Sequence, residues 1–160
     1  MKRFFLSLIL VLALLAVPAS TQVAQMLGVA VNVEEGLVLE VAFSTLTFDP
    51  GPPDGSWILA TEGPLGVTCA ISYVGDVYLK AIGQTMVVGP GDPIQWDQFA
   101  ITGTGDFTFP KLIFVSGTAL LHTFTSSGSY TGTLDFEYLN LNATPGTYAG
   151  QIKLILTITP

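Results

Sequence analysis

The sequence has little of what an active site or a nucleic-acid surface is made from. Only 11% of its 160 residues are charged, and it holds a single cysteine and a single histidine. Five residues are basic, and Lys2 and Arg3 lie at the very start, leaving Lys80, Lys111 and Lys153 for the remainder. Phosphate backbones are held by clustered Lys and Arg, so nucleic acid is excluded as a partner and anionic membrane surfaces are disfavoured. One cysteine excludes an internal disulfide. Cys69 is in phase with Val67 and Ile71, which predicts a small buried hydrophobe, with an intermolecular bridge as the alternative. His122 sits in Leu120-Leu121-His122-Thr123-Phe124, no Gly-x-Ser-x-Gly elbow accompanies it, and a zinc site would need carboxylates brought in by the fold. No enzyme activity and no cofactor are expected.

What is present begins with one long apolar run. Phe4 to Val17 is broken only by Ser7, follows Lys2 and Arg3, and ends in Val17-Pro18-Ala19. That is the pattern of a secretory signal peptide over residues 1–19, cut after Ala19. A single domain then occupies residues 20–160. The run is shorter than the ~20 apolar residues of a spanning helix, so a retained anchor is the alternative, and the uncleaved segment is the only membrane contact expected. Localisation is read as secreted, extracellular or at the cell surface. Loss of Lys2 and Arg3 takes the net charge from −7 to −9, which serves solubility.

Beyond the leader the apolar residues recur with period two, between Gly, Pro, Asp and Ser punctuation. Leu37, Leu39, Val41 and Phe43 share one face; Gly66 to Tyr73 and Val77 to Gln84 flank Gly75-Asp76 as a hairpin; Ile94 to Ile101 and Lys111 to Val115 are further strand candidates. Tyr130, Leu134, Phe136 and Tyr138 alternate with polar residues, with Gly132 read as a bulge, and Tyr148, Ile152, Leu154, Leu156 and Ile158 repeat the pattern. The expectation is an all-β, Ig-like antiparallel β-sandwich of Greek-key topology with roughly seven to nine strands. A barrel is the alternative.

Two stretches carry a resemblance. Ala143-Thr144-Pro145-Gly146-Thr147-Tyr148-Ala149-Gly150-Gln151-Ile152, after Leu134-Asp135-Phe136-Glu137-Tyr138, resembles the closing "PGTY-x-G-x-I" turn and strand of secreted prokaryotic Ig-like sandwich domains. Ala42-Phe43-Ser44-Thr45-Leu46-Thr47-Phe48-Asp49-Pro50-Gly51 is similar to their "LDFG-x-x-x-PG" strand and loop. The resemblance spans the first and last thirds of the domain and implies a surface or appendage component, similar to fimbrial subunits, spore-coat-like proteins or the cell-wall-binding WxL group. The paired Trp-x-Leu motifs of that last group are not made, since Trp57 is followed by Ile58-Leu59 but Trp96 by Asp97-Gln98.

The candidate sites follow from these patterns. Asp92, Asp97 and Asp106 are the nearest carboxylate set for glycoside hydrolysis or weak calcium ligation, and solvated turn residues are the plainer reading. Trp57 and Trp96 are the candidate platform for a polysaccharide, against the plainer reading of core residues. Asn142-Ala143-Thr144 is an N-glycosylation sequon at Asn142. Val23, Leu27, Val29, Val31 and Val33 put an apolar face on a segment, 22–33, just past the leader. Such a strand can complete its own sheet or a neighbour's. The function expected is a non-catalytic cell-surface or extracellular structural subunit, a pilus, filament or matrix protein self-associating by β-strand exchange. The alternative is a carbohydrate- or cell-wall-binding module.

Overall fold

The computed structural model describes residues 24–33, 36–49, 52–141 and 147–160. The leader, Val23, Asn142 and the Thr144-Pro145-Gly146 connection lie outside the described residues. Among the described residues eleven strands run β1 (Ala24–Val33), β2 (Leu37–Val41), β3 (Thr45–Phe48), β4 (Trp57–Leu59), β5 (Leu65–Ile71), β6 (Val77–Val88), β7 (Phe99–Gly105), β8 (Phe109–Ile113), β9 (Thr118–Phe124), β10 (Gly128–Leu139) and β11 (Thr147–Thr157). They form two sheets: sheet A in the order β3-β1-β11-β6-β9, and sheet B in the order β2-β5-β10-β7-β8 with β4 also paired to β10. This is the all-β sandwich that the alternation predicts.

Burial follows the period-two pattern, because successive side chains of a strand point to opposite faces. Leu65, Val67, Cys69 and Ile71 of β5 face inward, as do Leu134, Phe136 and Tyr138 of β10 and Ile152, Leu154 and Leu156 of β11. Ile158 lies past the end of β11 and is exposed. Phe48 of sheet A meets Phe99 and Tyr138 of sheet B at ring-centroid distances of 5.9 and 6.2 Å, so aromatic rings join the two layers. Each such fully buried side chain contributes roughly 1.5–3 kcal/mol relative to exposure.

The structure departs from the sequence reading in several places. The strand count is higher because residues 42–44 split β3 from β2, and because β9 runs through His122-Thr123, where the alternation fails. The segments flanking Gly75-Asp76 are not a hairpin: β5 belongs to sheet B and β6 to sheet A. Gly75, at φ 138°, turns the chain across the core, and alternation is the same whether a turn pairs two strands or passes between sheets. Only the β4–β5 and β7–β8 connections stay within one sheet. In place of a strand from Ile94, Ile94 makes one bridge to Val87, residues 96–98 form a 3-10 turn, and β7 starts at Phe99. Gly132 is not a bulge, since β10 keeps regular register with β5 and β7 through it. A Cβ there would fall on the Thr104 carbonyl oxygen and on the Phe107 ring, so the glycine makes room for a phenylalanine. Among the described residues every pairing is antiparallel except one, between β1 and β11.

Candidate functional site

The exceptional pair is the segment that the sequence singles out. β1 lies parallel to β11 over ten register pairs, from Ala24 opposite Thr147 to Val33 opposite Leu156. On its other side β3 covers only Gln25 to Gly28, after which the Val29 amide donates to the Ser44 carbonyl at 2.8 Å. Leu27 and Val29 point into the core, Leu27 directly opposite Leu46 and both fully buried. Val31 is 39% exposed near the end of the strand, and Val33 pairs through its backbone. The outer face is small: Gly28 has nothing nearer than 4.0 Å to an added Cβ. On β11 the seat is Gly150, Ile152 and Leu154, in register with Leu27, Val29 and Val31. Residues 34–36 are all that separate β1, in sheet A, from β2, in sheet B.

The seat also holds an unpaired polar atom. Tyr148, the second residue of β11, lies opposite Gln25, and its hydroxyl is buried with no hydrogen-bond partner. Such a group costs about 1–3 kcal/mol.

The remaining sequence candidates are dispersed. Trp96 is half-buried, with its ring 5.3 Å from Phe99 and 5.7 Å from Phe114, over Gly83, where a Cβ would strike the indole. An open depression of about 250 Å³ beside it is lined by Gln95, Trp96, Asp97, Phe114, Ser116 and Gly117. Trp57 stands elsewhere, on the outer face of sheet B. Its register partner is Leu139, and the Lys111 ammonium lies 4.6 Å from its ring centroid while ion-paired to Glu137. The two tryptophans thus occupy different environments, one against the core and one under a lysine.

Asp92, Asp97 and Asp106 are all exposed; Asp106 accepts the Thr131 amide at 2.7 Å. Among the described residues no group of three His, Cys, Asp or Glu is placed to hold a metal ion. Cys69 is fully buried and desolvation pushes its thiol up to about 12, which makes it a poor nucleophile and keeps it from a partner's cysteine. His122 is half-buried against Phe107 and Phe124 at 6.4 and 4.7 Å, and desolvation there holds its pKa below the ordinary 6.5. The sequence pattern missed what surrounds β1, namely Leu46, Phe48 and the open flank beyond Gly28, because a seat is made by strands distant in the chain. No family model matches the chain, and a search of curated proteins finds no significant match. Among the described residues no helix is long and apolar enough to cross a membrane.

Proposed function

We propose that this chain is a non-catalytic structural subunit of the cell surface or extracellular space, and that it assembles by exchanging β1 between copies. The observation that carries the reading is the placement of β1: an apolar strand parallel to β11, partly open on its other flank, tied to the domain by residues 34–36. A strand leaving that seat uncovers Leu46, Ile152 and Leu154 together with an unpaired edge of β11. An open edge is a template for another strand, and an identical strand from a second copy restores every lost contact. Exchange of identical elements therefore has a low net cost, and passed from copy to copy it builds a chain.

The test is to lock the strand at home. Gly28 and Gln151 are register partners on the outer face, and Gly28 has room for a side chain. Gly28→Cys with Gln151→Cys, oxidised in the monomer, joins β1 to its own β11. In 0.5 M salt, which screens contacts between exposed charges, assemblies followed by electron microscopy and light scattering are expected to disappear in the oxidised variant and return with reductant. Assembly that persists in the locked protein at that salt refutes exchange, and a wild type that stays monomeric at every concentration refutes self-assembly.

A further inference from the structure

The charges are sorted between the two sheets. None of the five strands of sheet A contains an Asp or Glu, yet two of the chain's lysines, Lys80 on β6 and Lys153 on β11, are there. Sheet B carries Glu40, Asp135 and Glu137 on its strands, against Lys111 alone. In a protein with 12 carboxylates and net charge −7, a whole sheet without one calls for an explanation.

Register puts these charges on the outer faces and gives each pair apolar neighbours. Lys153 lies opposite Ile82 and Lys80 opposite Ile155 and Leu120, and Leu120 is half exposed. The two lysines are one strand and two residues apart, about 8 Å. Across the sandwich, Glu137 lies opposite Leu59 and Ala100, and Ala100 opposite Ile113. Leu59 and Ile113 are 58% and 45% exposed. Asp135 stands two residues from Glu137 on the same strand, about 7 Å away. One outer face thus presents two cations among aliphatic side chains, and the opposite face two carboxylates at similar spacing, Asp135 and a Glu137 that is already ion-paired to Lys111.

We infer that the outer face of sheet A in one copy docks on the outer face of sheet B in the next, Lys80 and Lys153 against Asp135 and Glu137, with Ile82, Ile155 and Leu120 on Leu59 and Ile113. The two patches are different surfaces on opposite sides of one molecule, so the contact is heterologous and does not close on itself as a two-fold dimer would. It is a stacking interface that stands whether or not β1 is exchanged.

The test is charge reversal read by sedimentation velocity across a concentration series at low salt. Lys153→Glu and Asp135→Lys, each alone, put like charges face to face and are expected to weaken association at least about tenfold. Mixing the two variants restores opposite charges at both kinds of contact and is expected to recover association that neither shows alone. Raising salt to 0.5 M is expected to weaken the wild type, since exposed charges are screened. Association unchanged in both single variants, or lost in each and not recovered on mixing, overturns the inference. So does a wild type that stays monomeric while binding anionic vesicles through Lys80 and Lys153, because the face would then serve a membrane. The locked Gly28→Cys/Gln151→Cys protein separates the two contacts: stacking survives the lock and fails on charge reversal, whereas strand exchange does the reverse.

Discussion

The two sheets are built differently around their central strands. In sheet B, β10 is flanked by β5 and β7 in unbroken antiparallel register, and the fit is close enough that Gly132 and Gly103 leave no room for a Cβ beside Phe107 and Phe109. In sheet A, β11 is flanked by the parallel β1 and by β6 with register shifts near Gln151, and the buried Tyr148 hydroxyl has no partner. Both sheets are drawn from strands scattered along the chain, but sheet A also sets its first strand beside its last. The difference is one of register: sheet B keeps it unbroken on both sides of its central strand, and sheet A, the layer that would exchange a strand under the proposed function, does not.

Whether the two layers unfold as one is decided by the rings that join them. Phe48, fully buried on β3, touches Phe99 and Tyr138 of sheet B. Phe48→Ala is expected to cost about 3–5 kcal/mol, the range for deleting a buried aromatic ring, in a single urea transition seen alike by fluorescence and far-UV circular dichroism. Separate transitions for the two probes would show that sheet A melts alone. A smaller contrast compares two glycines. Gly132→Ala drives a methyl group into the Thr104 carbonyl and the Phe107 ring, at an expected cost of about 1–3 kcal/mol from overpacking. Gly28→Ala, on the outer face of β1 with open space around it, is expected to stay within about 0.5 kcal/mol of the wild type. Equal costs in urea denaturation would remove the distinction between the tight strand and the loose one.

The legibility of the fold divides along the same lines. Alternation identifies which side chains of β5, β10 and β11 are inside, since that is a local property of a pleated strand. It does not say which sheet a strand joins, so Gly75-Asp76 reads as a hairpin turn when the chain is crossing the core. Gly132 reads as an interruption because its reason is Phe107, 25 residues away in sequence. β9 escapes notice where Leu79–His122 and Lys80–Leu120 pair across a register shift. Leu27 and Val29 are legible as an apolar face, while the parallel seat that receives them is a matter of partners, and the sorting of acids off sheet A becomes visible only once strands are assigned to sheets.

The smallest expected effect is a pH dependence on the far edge of sheet A. His122 packs against Phe107 and Phe124, and desolvation holds its pKa below 6.5 in the folded chain. The unfolded chain therefore takes up this proton first, so the neutral ring's contribution is fully present above about 6.5 and is lost as pH falls through the lower folded value. Thermal unfolding followed between pH 7.5 and 5 is expected to show a slight fall in Tm, above the range where carboxylates titrate. His122→Phe keeps a ring against Phe107 and Phe124 without the charge, and its Tm is expected to be flat over that window. A wild-type Tm that holds constant or rises on acidification would mean that the imidazolium is accommodated at the β9 edge, and that sheet A's outermost strand opens to water more readily than its packing against Phe107 and Phe124 implies.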